Sequence, residues 1–308
     1  MREILRIGTR ASMLAVTQST WVKKQIEQQH PNTKVELVKI VTKGDKIQDV
    51  PLAKVGGKGL FVKEIEDALL EKRVDLAVHS MKDVPAELPE GLQVAIVPER
   101  EIPQDAFVSV SYKDVDDLPQ GAVIGTSSLR RKSQLSCLRP DLEIRDLRGN
   151  LDTRLRKLDE GEYDAIILAG AGLNRLGMQR RITALFTSKQ MLPAIGQGSL
   201  GIELRMDDTE LLDGLQFLHN RDTAVTVAAE RAFLLRLEGG CQVPIAGFAT
   251  VDNDTITLTG LIASLDGKTI LKEQLSGTAA DAEKIGVTLA EILLDRGGKA
   301  ILDEVYEG

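Results

Sequence analysis

The sequence predicts an α/β fold of two lobes, with a small α+β domain after them. Three observations predict it. Strand-like and helix-like segments alternate through the first two thirds of the chain, the pattern of mainly parallel sheets covered by helices. Two stretches, Pro98–Gln104 and Leu192–Ala194, interrupt the alternation and read as crossovers between lobes. Beyond Cys241 the style changes to antiparallel strands joined by turn dipeptides. At 308 residues the chain exceeds one ordinary core. The expected domains are 1–98 with 194–218, then 99–193, then 219–308.

The elements follow in order. Residues 4–9 read as a strand. Ala11–Gln29 reads as a helix, with Leu14, Val16, Trp21, Val22 and Ile26 at helical spacing, and His30-Pro31-Asn32 ends it. Val35–Val41 is a second strand. Lys43-Gly44-Asp45 and Val55-Gly56-Gly57-Lys58-Gly59 bracket a long loop, and Leu60–Lys72 is an amphipathic helix. Val74–Val78 and Leu92–Val97 are short apolar strands, a sign of burial on both faces. The pattern restarts with strands at 106–110, 122–125, 143–147 and 164–168 and helices at 128–138 and 151–159. Gly201–Arg205 is expected to return to the first lobe, followed by a helix to Leu218. Thr223–Glu238 is a helix that Gly239 terminates. Strands at 246–251, 255–263 and 269–275 follow, with turns at Asn253-Asp254 and Asp266-Gly267. A last helix, Ala279–Arg296, is expected to end at Gly297-Gly298.

Composition excludes several function classes. No apolar run approaches the ~20 residues that span a bilayer, so no membrane role is expected. The net charge of −7 argues against a general nucleic-acid binder. Two distant cysteines, and a start at Met1-Arg2-Glu3-Ile4 without a signal-like apolar segment, point to reduced thiols and a cytoplasmic location. The average charge hides an asymmetry: 121–182 carries an excess of Lys and Arg, and 219–308 an excess of Asp and Glu. The middle of the chain is built to meet an anion.

Two pattern matches lack their physical context. Gly196–Gly201 fits G-x-G-x-x-G but precedes a strand instead of opening a helix, and Gly56-Gly57-Lys58-Gly59 lacks the hydroxyl residue of a P-loop. No metal-ligand spacing is present. Five arrangements remain. His79-Ser80-Met81-Lys82-Asp83 follows a buried strand, where open α/β sheets place ligand groups, and Asp83 is the acid/base candidate. Thr126-Ser127-Ser128 with Arg130 and Arg131 opens a helix, where free N–H groups and hydroxyls favour an anion; a plain N-cap is the simpler alternative. Arg148 lies at a strand end. Arg154 stands in the first turns of a helix, against its dipole. Arg175 closes a glycine-rich turn, and Arg10 ends the first strand. Planar arginines in this number suit a ligand with several carboxylates. Finally, Gly239-Gly240-Cys241-Gln242-Val243-Pro244 places a cysteine on an irregular loop, although a buried structural thiol fits that stretch alone. Cys137 reads as structural, on the apolar face of its helix.

Over nearly the whole chain these segments resemble the porphobilinogen deaminase (hydroxymethylbilane synthase) family. The resemblance rests on Ile7-Gly8-Thr9-Arg10, Gly57–Phe61, His79–Pro85, Gly125–Arg131, Arg148–Arg154, Pro193–Gly198 and Gly239–Ile245. It departs slightly at Gln104 and Ser199. The resemblance implies two lobes like those of type II periplasmic binding proteins plus the third domain. It implies a cytoplasmic, monomeric transferase that carries a dipyrromethane cofactor on Cys241 through a thioether. Four porphobilinogen units are then deaminated and joined head to tail, and hydroxymethylbilane is released. By the same resemblance Asp83 is the catalytic group. Lys82, Ser80, Thr126, Ser128, Arg130, Arg131, Arg148 and Asp83 are expected to hold the cofactor. Arg10, Ser12, Arg148, Arg154, Arg175, Lys58, Phe61 and Gln197 are expected to meet substrate. The rival reading is a non-catalytic, anion-binding two-lobe protein. A tethering cysteine disfavours it, because such a protein must release its ligand unchanged.

Overall fold

The computed structural model describes residues 1–46, 62–238 and 243–307. It divides into two compact units, Met1–Glu101 with Ser199–Ala224, and Ile102–Gly198 with Val225–Gly308. Lys58 and Phe61, most of the glycine-bracketed loop, and Cys241 lie outside the described residues.

The first unit is built on a sheet of β1 (Ile4–Thr9), β2 (Lys34–Lys39), β3 (Leu76–Ser80), β4 (Leu92–Ile96) and β10 (Leu200–Arg205), in the order β2-β1-β3-β10-β4. β1 runs parallel to β2 and to β3, whereas β10 is antiparallel to both its neighbours. Leu5, Ile7, Leu76, Ile96, Ile202 and Leu204 are fully buried in the sheet. Helices α1 (Met13–Gln29), α2 (Lys43–Lys46), α3 (Lys63–Leu70) and α7 (Thr209–Leu215) belong to this unit. The buried positions of α1 are Gln18, Ser19, Val22 and Ile26. Trp21, expected on the apolar face, is exposed; the helix turns two polar residues inward instead.

The second unit repeats the scheme with β5 (Asp105–Val108), β6 (Val123–Gly125), β7 (Glu143–Arg145), β8 (Ala165–Ala169) and β9 (Ala184–Leu185), in the order β7-β6-β8-β5-β9. Helices α4 (Leu129–Leu138), α5 (Leu151–Asp159) and α6 (Gly170–Arg175) connect these strands. Both sheets are therefore mixed rather than mainly parallel. In each, the strand entered from a crossover segment (β10, β5) runs against its neighbours. Its first residues consequently lie at the edge where the parallel strands end.

The second unit also holds a three-stranded antiparallel sheet of β11 (Ile245–Asp252), β12 (Thr255–Ala263) and β13 (Ile270–Thr278). Asn253, at φ 55°, makes the predicted tight turn between β11 and β12. Helix α8 (Arg221–Arg236) and helix α9 (Ala282–Leu293) bury Phe233 and Leu289 against this sheet. The expected stop at Gly297-Gly298 is a kink instead. Gly297 adopts φ 103° and the chain continues as α10 (Lys299–Glu307), because Leu302 still has a core to enter.

Candidate functional site

In the first unit, the parallel strands β1 and β3 end at one sheet edge, which brings Arg10 and Ser80–Asp83 together. Ser12 caps α1, its Oγ accepting the Ala15 N–H at 3.4 Å. One turn on, buried Gln18 donates from Nε2 to Ser80 Oγ at 2.9 Å. After Ser80 the chain makes a single 3-10 turn, Met81–Asp83. Two contacts hold that turn. The Met81 N–H donates to Ser199 O at 3.0 Å, just before β10 begins. The Met81 side chain lies over Gly201, where an added Cβ would stand 2.8 Å from Met81 Cε.

Arg10, Ser12, Gln18, His79, Ser80 and Asp83 form the polar lining of a pocket, with Val62, Ile65 and Val78 as its apolar wall. Asp83 is half-buried, and its carboxylate makes no hydrogen bond or ion pair to any described residue. Every other polar group named in the lining can donate. Arg10 reaches Asp45 through Nε at 3.1 Å and Nη2 at 2.5 Å. Burial alone would raise the Asp45 carboxyl, but Arg10 outweighs it and holds the group below the usual carboxylate range.

The second unit places its residues by the same logic. Ser128 is the N-cap of α4, its Oγ accepting the Arg131 N–H at 3.4 Å, and Thr126 Oγ1 accepts the Ser128 N–H at 3.3 Å. The simple cap is thus present. The neighbouring arginines turn inward to Asp105, the first residue of β5, which its antiparallel run brings to this edge. Arg130 donates to Asp105 from Nη1 at 2.7 Å and Nη2 at 3.2 Å. Arg131 adds Nε at 2.9 Å and Nη2 at 2.7 Å. Gln197 Nε2 completes the cluster at 3.1 Å and also donates to Pro103 O. Asp105 is fully buried, which alone would raise its carboxyl; the two guanidinium groups reverse this and push it well below the usual range. Arg130 and Arg131, expected to receive ligand carboxylates, therefore hold a carboxylate of their own chain.

The remaining arginines are half-buried. Arg154 Nε donates to Gly149 O at 2.8 Å, so its place near a helix start is explained by the preceding loop. Arg175 Nη2 donates to Gly198 O at 2.6 Å. Arg148 follows β7 on the same edge. Cys137 is exposed, contrary to the structural reading. Sequence reasoning gave no role to Gln18, Asp105 or Glu203. A signal existed for two of them: Asp105 opens the run Ala106-Phe107-Val108, and Glu203 interrupts Leu200–Leu204. A carboxylate inside a buried strand needs a partner.

Among the described residues no group of three or more His, Cys, Asp or Glu is gathered to hold a metal ion. No described helix is long and apolar enough to cross a membrane.

The fold is similar to that of the methionine-binding protein MetQ, with a TM-score of 0.45 at 15% identity over 74% of this chain and 95% of that one. Residues 5–213 match the family described as "Porphobilinogen deaminase, dipyromethane cofactor binding domain", and residues 224–295 match "Porphobilinogen deaminase, C-terminal domain". The chain is 58% identical over 303 residues to porphobilinogen deaminase of Trichlorobacter lovleyi, covering 98% of this chain and 97% of that protein. It is 57% identical to the enzyme of the same name from Syntrophobacter fumaroxidans, covering 98% of each. With both family regions matched in order and identity this high along the chain, the protein belongs to the porphobilinogen deaminase family.

Proposed function

We propose that this chain deaminates porphobilinogen and joins four units head to tail on a dipyrromethane carried by Cys241, releasing hydroxymethylbilane. It is a transferase of tetrapyrrole biosynthesis, cytoplasmic and monomeric, with no nucleic-acid or membrane partner. Its working domains are 1–98 with 194–218, 99–193 and 219–308.

One observation carries the reading. Asp83 is a half-buried carboxylate without a partner among the described residues, in a pocket whose other polar lining can donate. Each pyrrole unit brings carboxylates, which need donors, and a ring N–H, which needs an acceptor. The residues present therefore fit the cofactor. When bound, the dipyrromethane supplies the nucleophilic pyrrole carbon at which the chain of rings grows.

The protein's own groups do the rest. Asp83 gives a proton from its carboxyl to the departing amine. As the carboxylate, it then stabilises the positive charge left on the substrate. Such aimed charge in a site that excludes water is commonly the largest catalytic effect. Ser80, held by Gln18, and Lys82 flank Asp83. Thr126, Ser128, Arg130, Arg131 and Arg148 hold carboxylates of the cofactor. Arg130 and Arg131, fixed by Asp105, do so with the N–H groups that Asp105 leaves over. Arg10, Ser12, Arg148, Arg154, Arg175, Lys58, Phe61 and Gln197 receive substrate. Binding an incoming carboxylate at Arg10 or Arg154 exchanges a partner inside the chain for one on the ligand.

The test is Asp83→Asn. The variant keeps its covalent mass increment but turns porphobilinogen over at least ~100-fold more slowly. Near-normal turnover would remove Asp83 from the chemistry.

A further inference from the structure

Behind the pocket lies a buried acidic cluster that the mechanism above does not use. His79 and Glu203 stand on the adjacent strands β3 and β10, and the His79 Nε2 to Glu203 Oε2 distance is 2.8 Å. One proton occupies that contact, on either atom. Glu66 projects from α3, which packs against β1, β3 and β10. All three side chains are buried: Glu66 is 5% exposed, His79 5% and Glu203 1%.

Two oxygens in this cluster have no hydrogen-bond partner, Glu66 Oε1 and Glu203 Oε1. Two ionised carboxylates left like this would each lack solvation and would repel each other. A proton on Glu66 relieves both, because a neutral carboxyl needs less solvation and does not repel a neighbouring charge. We propose that Glu66 holds a proton at neutral pH, and that this neutral side chain, buried behind the His79–Glu203 contact, positions the strand end that carries Asp83 and keeps negative charge away from the pocket. This role rests on the function proposed above.

The electrostatics agree. Burial, then the Glu203 charge, pushes the Glu66 carboxyl up to about 7, while His79 pulls the other way. Among the described residues Asp67 also raises it and Lys63 lowers it. Above neutral pH the Glu66 proton is lost and a new negative charge appears behind His79. His79 lines the pocket beside Arg10 and Asp83, so the new charge opposes any ligand that brings carboxylates.

Two measurements test this on the full chain carrying its cofactor. The first is an infrared pH titration without substrate. A protonated-carboxyl C=O band is present at pH 6, fades as the pH rises through 7, and is absent in Glu66→Gln. If Glu66→Gln does not fold, Glu66→Met serves, since it too removes the carboxyl and with it the band. No such band, or one unchanged in these variants, overturns the proposal. The second is the KM for porphobilinogen against pH. The wild type shows a rise of up to about tenfold between pH 6 and 8.5, the scale of one added charge near the ligand. Glu66→Gln, which keeps a donor with no charge, flattens that rise while kcat at pH 6 stays within about threefold. A rise that persists unchanged in Glu66→Gln overturns the positioning role. If no form of the protein turns over porphobilinogen, the functional reading fails, and the infrared result still decides whether the proton is there.

Discussion

Asp105→Asn removes one full negative charge, the carboxylate that stands between the buried guanidinium groups of Arg130 and Arg131. Asp105 accepts from Arg130 at 2.7 and 3.2 Å, from Arg131 at 2.9 and 2.7 Å, and from Gln197 at 3.1 Å. Arg130 and Arg131 are 5% and 6% exposed, so water cannot replace the lost charge. Asparagine keeps the shape but offers one acceptor oxygen and points an NH2 group at donors. Removing one partner of a buried ion pair costs about 3–5 kcal/mol. With a urea dependence of roughly 1–3 kcal/mol per molar, the midpoint of the second unit falls by more than about 1 M. The assay is urea unfolding followed by circular dichroism, with covalent mass recorded in parallel. An apolar replacement of all three residues recovers most of the stability but not the cofactor loading. A midpoint within ~0.3 M of wild type would refute the reasoning. The pH dependence has a definite sign. A carboxyl held below its usual range contributes stability that is complete above that range and is lost as pH falls through the depressed value. The wild type therefore loses this contribution only in acid, and Asp105→Asn lacks it throughout.

Two further predictions concern the first unit. Gly201→Ala puts a methyl 2.8 Å from Met81 Cε and 3.0 Å from Val94 Cγ1; it costs about 1–2 kcal/mol by overpacking and, by shifting the turn that holds Asp83, lowers turnover more than it lowers cofactor content, which urea unfolding and single-turnover kinetics separate. Glu66, with its carboxyl raised to about 7, binds a proton in the native state that the unfolded chain has already released. Stability therefore falls as pH rises from the ordinary glutamate range to about 7, by about 3 kcal/mol in all. Glu66→Gln flattens that slope in thermal unfolding scans, and an unchanged slope counts against it.

Much of the fold was legible because it is written in local periodicity. Ser128 announced a helix start, Asn253 announced a turn, and β10 was readable as a strand returning to the first unit. The misreadings have a common physical origin, since each depends on a partner far away in sequence. The direction of β5 and β10 is set by which edge a crossover enters, so mixed sheets looked parallel. The α1 face looked apolar through Trp21 because Gln18 gains its partner from Ser80 on another element. Cys137 looked buried by helical spacing, and α9 looked as if it ended at Gly297, where Leu302 still had a core to reach. Of the site, Asp83 and the arginines were visible as residue types at strand ends. What each arginine holds was not, because Asp105, Asp45, Gly149 and Gly198 are separated from them in the chain or offer only a backbone carbonyl.

The central claim is a covalent primer on Cys241, and intact mass tests it most directly. The purified protein is weighed beside a Cys241→Ser variant. The account predicts an excess of two porphobilinogen units less two ammonias on the wild type, absent from the variant. If the wild type carries no excess, it should gain that increment on incubation with porphobilinogen. A folded wild-type chain that remains unmodified after that incubation contradicts the account and favours a binding protein without chemistry.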